Sequence, residues 1–374
     1  MKKTLATAGA AVLVALSLTA CGTSASGGGN NGTTSGGTAN TTNSGNTASS
    51  GGSSASGTIA LLLPDTTSSA RYETQDKPDF EAGVKKLDSS ATVLYENAQG
   101  SATTQQQQAE SAMTNGAKVL VLDPVDSKAA ATIVTEAQQQ GVKVISYDRM
   151  ITGAPVDYYV SFDNEKVGEL QGQYIADHTK KGGTIVFING AETDNNALQF
   201  KAGAHKVLDP LIKNGTFHLG YETFTPNWDP ANGLREMEQA LTKLNNHVDG
   251  VLSANDGLAG SIIQALQAQG LAGKVPVTGQ DATNAGLHRI LQGTQSMTVY
   301  KAVPKEAEAA AQLAVDLLTG QQPPASLVNG SVNNGSKDVP AVLLQPVVVT
   351  KDNIQQTVIK DGFTTMAQIN NPSS

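Results

Sequence analysis

The alternation of apolar strand patterns with helical patterns from Thr58 onward is the feature that most constrains this fold. Several strand patterns are continuous β-branched runs, as expected for parallel strands that are covered on both faces. The predicted strands are 58–63, 92–95, 118–122, 143–147, 158–161, 184–188, 218–221, 250–253, 275–278, 296–300 and 341–349. The alternation predicts an α/β fold with mostly parallel sheets. So many strands favour two lobes over one small sheet.

Helical patterns lie between the strands, for example at 104–115, 127–140, 165–179, 258–268 and 305–318. Glycine closely follows four of them, and a left-handed cap at the end of a helix suits glycine. These glycines are Gly116, Gly141, Gly270 and Gly320.

Residues 1–20 predict an export signal. Lys2 and Lys3 precede an apolar run from Leu5 to Ala20 that is too short and too interrupted to favour a membrane span. The run ends in Leu-Thr-Ala-Cys, which resembles a bacterial lipobox, so Cys21 is predicted to be acylated and to become the mature N-terminus. A chance cysteine near a signal peptide is the alternative. The prediction places the protein outside the cytoplasm, on the outer face of the cell membrane. Because Cys21 is the only cysteine, no internal disulfide is expected.

The segment 21–57 continues from this cysteine almost wholly in Gly, Ser, Thr, Asn and Ala. Such a composition buries no apolar surface and predicts a flexible tether with a typical reach of roughly 30–35 Å. An artificial linker is the alternative, but the lipobox directly before the segment favours a natural tether.

Charge and motifs exclude several classes of function. The formal net charge is −8, and no basic run follows Lys3, which argues against nucleic acid as a partner. The chain has no dinucleotide or P-loop glycine motif, no His-Glu-x-x-His, no Cys-x-x-Cys, no calcium-binding loop and no Gly-x-Ser-x-Gly. We therefore expect no cofactor, no metal and no enzymatic activity.

Polar and aromatic residues follow many of the predicted strands or lie in the loops nearby. Open α/β sheets bind ligands at the carboxyl ends of their strands, so these residues form the candidate site. They are Arg71, Tyr72, Asp148, Arg149, Asp194, Asn195, Asn196, Trp228, Asn255, Asp256, Gln280, Asp281 and Lys301. A sugar hydroxyl both donates and accepts, which suits carboxylates beside cationic and amide N–H groups. Aromatic rings suit the apolar faces of a sugar.

Each of these residues also has a structural alternative. Aspartate and asparagine after a strand often cap the next helix, which we expect for Asn164 and Asp256. Arg149 could form a structural ion pair with the aspartate that precedes it. Trp228 could belong to the core, and Lys301 could be solvated.

Six segments together resemble a known family. They are 147–151 (Tyr-Asp-Arg-Met-Ile), 161–168 (Ser-Phe-Asp-Asn-Glu-Lys-Val-Gly), 194–197, 279–282, 297–301 and 358–363. Over about 58–363 the chain resembles the D-xylose-binding branch of the ribose/galactose-type periplasmic sugar-binding proteins, which serve bacterial ABC importers. The resemblance implies a type I periplasmic binding protein: two Rossmann-like lobes, joined by three crossovers, that close on a sugar.

The resemblance also implies roles for the candidate residues. The sugar's polar partners would be Arg71, Asp148, Arg149, Asp194, Asn196, Asn255, Asp281 and Lys301. The stacking ring would be Trp228, faced by Tyr72, where the family usually has tryptophan; the preceding loop, 64–70, also departs from the family.

The implied lobes are 58–162 with 302–324, and 163–301 with 344–374. The crossovers would lie near 161–163, at 301 and just before 344. The implied function is that of a monomeric receptor that closes on a monosaccharide, D-xylose above all, and delivers it to an ABC permease and ATPase complex.

Three other functions compete with this interpretation. A sugar receptor that feeds a membrane signalling sensor would have the same fold and site. A glycosidase could use Asp148 and Asp281 as acid and base, although nothing else in the sequence supports catalysis. A DNA-binding regulator would need an N-terminal helix-turn-helix, and a signal peptide is predicted there instead.

Overall fold

The computed structural model describes residues 57–372 of the chain, and its elements follow one another in strict alternation over most of that length. The strands are β1 (Thr58–Leu63), β2 (Thr92–Asn97), β3 (Ala117–Leu122), β4 (Lys143–Tyr147), β5 (Tyr158–Phe162), β6 (Gly183–Asn189), β7 (Phe217–Phe224), β8 (Gly250–Ser253), β9 (Thr298–Tyr300), β10 (Gly330–Asn333), β11 (Asp338–Leu344) and β12 (Val347–Val349). The α-helices are α1 (Lys77–Leu87), α2 (Ala102–Thr114), α3 (Ala131–Gln139), α4 (Asn164–His178), α5 (Asn195–Lys213), α6 (Pro230–Lys243), α7 (Asp256–Ala268), α8 (Asn284–Gln292), α9 (Val303–Thr319) and α10 (Met366–Asn370). Short helical turns cover Tyr72–Asp76, Pro226–Trp228 and Gln355–Ile359.

The first lobe is built on a seven-stranded sheet in the order β10-β11-β5-β4-β3-β1-β2. Its strands are parallel except that β10 pairs antiparallel with β11. Successive side chains of a strand point to opposite faces of the sheet. In β1 the side chains on both faces are apolar, so both faces must be covered by other elements. Leu62 belongs to the same core cluster as Ile133 of α3 on one face, whereas Leu61 belongs to a second cluster with Phe80 of α1 and Leu313 of α9 on the other. The continuous apolar run of β1 is therefore explained by a sheet with helices on both sides.

The second lobe contains a parallel sheet, β7-β6-β8, and an antiparallel pair, β9 and β12, with α4 to α8 and α10 around them. Helices α4 and α5 pack so closely that two positions accept only glycine. A Cβ on Gly168 would lie 1.9 Å from the carbonyl oxygen of Phe200, and one on Gly203 would lie 2.0 Å from that of Glu165. Backbone-to-backbone contact thus sets the position of α5, whose first residues reach the site described below.

Two of the predicted strands differ from the structure. Segment 275–278 forms only an isolated bridge, between Val251 and Val277, instead of a full strand. Segment 341–349 is interrupted at 345–346: β11 ends in the first lobe and β12 begins in the second, and Pro346 has no N–H with which to continue a ladder. Residues 325–343, assigned to neither lobe from the sequence, supply β10 and most of β11 to the first.

The chain passes between the lobes three times. It crosses after β5, returns at Lys301 between β9 and α9, and crosses again between β11 and β12. The last crossing therefore lies just after Leu344 rather than before it.

The predicted glycine caps are confirmed by the backbone. The φ angles of Gly116, Gly141, Gly270 and Gly320 are 88°, 71°, 67° and 71°, all in the left-handed region. Within residues 57–372 no helix has the length and apolar character needed to span a membrane. The predicted signal, Cys21 and nearly all of the tether lie outside the described residues.

Candidate ligand-binding site

The two lobes face each other across a small cavity with about 290 Å³ of atom-free space. Its walls are Ser68, Ser69, Arg71, Tyr72, Asp148, Arg149, Asp194, Asn196, Phe200, Trp228, Asn255, Gln280, Asp281 and Lys301. All ten sugar-contact residues that the family resemblance implies are among them, and none of the ten is more than 6% exposed.

Asp148 occupies the turn after β4 with φ at 48°, a conformation that is unusual for a residue other than glycine. Its carbonyl oxygen holds the turn in place by accepting from Ser161 Oγ at 2.6 Å and from Asn196 Nδ2, in the other lobe, at 3.1 Å. Its carboxylate lies 3.2 Å from Lys301 Nζ and 3.6 Å from Arg71 Nη1. Burial alone would raise the pKa of Asp148, but the Arg71 and Lys301 charges outweigh it and hold the pKa at about 2. The carboxylate is therefore an ionised acceptor in the cavity wall.

The hydrogen bonds of Arg71 are made to residues of the first lobe. Asp76 accepts from Nε at 2.9 Å and from Nη2 at 2.6 Å, and Glu306 of α9 accepts from Nη2 at 2.8 Å. The remaining nitrogen, Nη1, is buried without a hydrogen-bond partner among the described residues. Arg71 thus holds one donor beside Asp148 while its other contacts keep the guanidinium in position.

Arg149 links the two lobes. Its Nε lies 3.0 Å from Asp194 Oδ2, at the start of α5, and 3.7 Å from Asp123. Its Nη2 is 3.4 Å from Ser68 Oγ and 3.8 Å from Asp65. Arg149 therefore pairs with a carboxylate of the opposite lobe rather than with its chain neighbour.

Two site residues of the second lobe also cap helices. Asp194 accepts from the backbone N–H of Asn196 at 2.8 Å, and its other oxygen accepts from Trp228 Nε1 at 3.1 Å. Asn255 accepts from the N–H of Leu258 at 2.8 Å, and its amide group donates to the carbonyl of Ser68 in the first lobe at 3.1 Å. A single side chain can thus cap a helix with one atom and contact the opposite lobe or the site with the other.

The caps predicted at Asn164 and Asp256 were wrong by one residue. Helix α4 is capped by Asp163 and α7 by Asn255, the residue before each. Asn164 instead donates to Asn196 Oδ1 at 3.0 Å and so orients a cavity residue. Asp256 is a buried acceptor for the N–H of Thr283 and for Gln295.

Trp228 belongs to both the core and the cavity. It follows Asn227 in left-handed backbone, with φ angles of 55° and 58° respectively. Its ring packs on Gly190, where a Cβ would come within 2.1 Å of two ring atoms, and edge-on to Phe200. Tyr72 contributes the aromatic surface of the first lobe.

Lys301 is buried at the crossover from β9 to α9, so the solvated alternative was wrong. Burial lowers its pKa, yet Asp148 and Asp281 together hold the pKa above its ordinary value. Asp281 lies 3.7 Å away with φ at 96°, another unusual backbone conformation at the cavity wall. Lys301 is therefore a charged donor between two carboxylates.

Sequence reasoning missed several residues in and behind the walls. The missed wall residues are Ser68, Ser69 and Phe200, and Asp65 and Asp123 lie behind Arg149. Gln280, which the strand-end rule named beside Asp281, is also in the wall although it was not among the predicted sugar partners. Asp123 directly follows β3, so the same rule could have found it. Asp65 shapes the preceding loop by accepting from the backbone N–H of Ser68 at 2.6 Å.

The cavity offers unpaired hydrogen-bonding groups of both kinds. Among residues 57–372, Arg71 Nη1 is a buried donor without a hydrogen-bond partner, Gln280 Oε1 is a buried acceptor without one, and Ser69 Oγ is a third such atom. Each unpaired group costs about 1–3 kcal/mol unless a ligand satisfies it. No group of three or more His, Cys, Asp or Glu residues within 57–372 is placed to hold a metal. The arrangement suits a small neutral ligand rich in hydroxyl groups.

Comparison with known proteins gives consistent matches. A family model described as "Periplasmic binding protein domain" matches residues 59–322. A D-xylose-binding periplasmic protein of Escherichia coli is 47% identical over 76% of this chain and 86% of its own length. One of Haemophilus influenzae is 44% identical over 78% and 87%. The crystal structure of a carbohydrate transporter solute-binding protein from Chloroflexus aurantiacus, in complex with D-glucose, has a TM-score of 0.76 at 35% identity, covering 83% of this chain and 97% of that one.

Proposed function

Because the chain belongs to the periplasmic binding protein domain family, we propose that it is an extracytoplasmic receptor that captures a monosaccharide, D-xylose above all. It has the type I fold of that family, with mostly parallel sheets. One observation carries the proposal: residues from both lobes line one small cavity, in which some buried donors and acceptors have no partner in the part of the chain that the structure describes. The ligand would therefore join the lobes through hydrogen bonds.

The charges in the cavity wall favour a neutral ligand. Arg149 already faces Asp194, and Lys301 already faces Asp148 and Asp281. A charged ligand would leave one of these groups uncompensated in a dry site, which is costly. Hydroxyl groups add donors and acceptors without adding charge.

D-xylose is the primary candidate because two relatives with more than 40% identity are described as D-xylose-binding proteins. A more distant relative was crystallised with D-glucose, so a hexose is the main competitor. Tyr72 stands where the family resemblance implies tryptophan, and its smaller ring would leave more room beside the sugar.

Closure would follow from contacts that exist only when the lobes meet. Besides the Arg149–Asp194 pair, the backbone of Ser127 in the first lobe donates to Thr193 of the second at 2.9 Å, and the N–H of Asn195 donates to Ser127 Oγ at 3.0 Å. A ligand that contacts both walls stabilises this arrangement over the open one. The receptor would act as a monomer, tethered through a lipid on Cys21, and would pass the sugar to an ABC permease and ATPase complex.

Isothermal titration calorimetry with D-xylose, D-glucose, D-ribose and a panel of amino acids tests the ligand class. We expect D-xylose to bind with about −8 kcal/mol or better, in the micromolar range or below. An analogue that lacks one hydroxyl should bind more weakly, by up to on the order of 10⁴-fold, because a buried partner is left unpaired. If an amino acid gives binding heat and none of the sugars does, the assignment is wrong.

A sugar receptor for a membrane signalling sensor would use the same cavity. Uptake of labelled xylose by cells that lack the gene separates the two roles, since the importer role predicts lost uptake. Normal uptake together with a lost sugar response would favour the sensor.

A further inference from the structure

Asp123 is a buried carboxylate that the proposed sugar contacts do not include. It directly follows β3 and is 0% exposed, and neither oxygen has a hydrogen-bond partner among the described residues. Its backbone is fixed, because its N–H donates to Leu62 and its carbonyl accepts from Gln105 Nε2 at 2.8 Å. Burying an ionised carboxylate without hydrogen bonds costs free energy, so a carboxylate at this position is expected to have a function that offsets the cost.

The nearest cation to Asp123 is shared with a carboxylate of the other lobe. Arg149 Nε lies 3.7 Å from Asp123 Oδ1 and 3.0 Å from Asp194 Oδ2. Asp194 is held in place by Trp228 Nε1 and by the start of α5. In the closed arrangement the Nε atom of Arg149 is nearer to Asp194 than to Asp123.

The other charged or titratable groups around Asp123 come from three places. Asp148 lies beside Arg149 in the turn after β4, whereas Tyr72 begins the helical turn after β1 and Arg71 directly precedes that turn. Asp65, at the end of β1, is 3.8 Å from Arg149 Nη2. Lobe opening would move Asp194 away, whereas the groups of the first lobe would stay.

We propose that Asp123 positions Arg149 in the open receptor and takes up a proton when the lobes close on the ligand. In the open state, Asp123 faces Arg149 without competition from Asp194 and would hold the guanidinium in the cleft. On closure, Asp194 takes over the Nε contact, adds a like charge and helps to exclude water. The neutral acid is then the favoured form of Asp123. This inference rests on the proposed function, since it needs a ligand that closes the lobes.

The electrostatics of the closed site support this order of events. Burial, followed by the Asp148 and Asp194 charges, raises the pKa of Asp123 well above its ordinary value although Arg149 opposes the shift. A pKa that is higher in the closed state than in the open state favours closure at low pH. Affinity should therefore fall as pH rises through the interval between the open-state and closed-state pKa values of Asp123, and level off once pH passes the closed-state pKa. The slope is at most about tenfold per pH unit for one proton.

Titration calorimetry of the wild-type protein with D-xylose and D-glucose tests the proposal directly. At several pH values across the range in which affinity changes, the binding heat is measured in buffers that differ in ionisation enthalpy, and its dependence on that enthalpy gives the number of protons taken up. We expect proton uptake in the wild-type protein. We expect none in Asp123→Asn, which keeps the shape but cannot ionise and should bind the sugar with an affinity that no longer depends on pH.

Asp126→Asn is the matched control, because it removes a charge from the same loop at a residue that caps the following turn. It should keep the proton uptake of the wild type. Sugar binding whose heat does not depend on the buffer would overturn the proposal, and so would proton uptake that persists in Asp123→Asn. The wild-type measurement decides even if the variant does not fold. If no sugar in the panel gives heat, the proposed function itself fails, and this inference fails with it.

Discussion

Replacing Arg149 with methionine should weaken sugar binding far more than it lowers the stability of the ligand-free protein. Methionine retains much of the length of the side chain but removes the charge that lies 3.0 Å from Asp194. In the open receptor water would solvate Asp194, so its charge is left unpaired only after closure. Asp123 loses its nearest cation in both states, so that loss lowers stability rather than affinity. Removing one partner of a buried ion pair costs about 3–5 kcal/mol.

We expect the lower end of that range, because Asp194 still accepts from Trp228 Nε1 and from the N–H of Asn196. About 3 kcal/mol corresponds to a loss of roughly two powers of ten in Kd. Calorimetry measures Kd, and thermal unfolding without ligand measures stability. The double variant Arg149→Met with Asp194→Asn should lose less affinity than the sum of the two single losses.

Arg235→Met is the control, since Arg235 is a second-lobe arginine outside the cavity walls. It should leave Kd unchanged. If Arg149→Met lowers the melting temperature of the ligand-free protein but changes Kd by less than about tenfold, Arg149 is a structural residue and this reasoning is wrong.

Four further predictions concern other parts of the chain. Trp228, the only tryptophan, should change its fluorescence when the ligand binds, and Trp228→Phe should cost about 1–3 kcal/mol of affinity through the lost hydrogen bond to a carboxylate; unchanged emission during calorimetric binding would contradict its place in the wall. Gly190→Ala should lower affinity or the melting temperature by an amount equivalent to about 1–3 kcal/mol, because the new Cβ would overlap the Trp228 ring, and two unchanged values would refute the packing. Asp281→Asn keeps the shape but replaces an acceptor by a donor near a buried lysine, so calorimetry should show a loss of affinity smaller than that of Arg149→Met, and an unchanged Kd would remove Asp281 from the site. Cys21→Ser should move the protein from the membrane fraction to the soluble fraction, and continued membrane retention would exclude the lipid anchor.

The strand pattern and the position of the site could be predicted from the sequence. The structure has β4 at Lys143–Tyr147 and β8 at Gly250–Ser253, the bounds that the apolar runs predict. Apolar periodicity is a local property of the chain, so it is visible without the fold. The strand-end rule found the edge at which these residues lie, because the carboxyl ends of parallel strands meet there, and the family resemblance selected the ten that line the cavity.

The pairing of the polar groups was decided only by the tertiary structure. Arg71 is held by Glu306, 235 positions away in the chain, and Arg149 pairs with Asp194 across the cleft instead of with its neighbour. Only the structure likewise shows that the carboxylate of Asp123, which has no hydrogen-bond partner among the described residues, lies beside Arg149. Such contacts depend on how the elements of each lobe pack and on how the three chain crossings orient one lobe against the other. The distances between these side chains cannot be read from a pattern along the chain. The sequence therefore predicts which types of residue line the site. The tertiary structure decides which of their donors and acceptors are available to a ligand, because it pairs the others with each other.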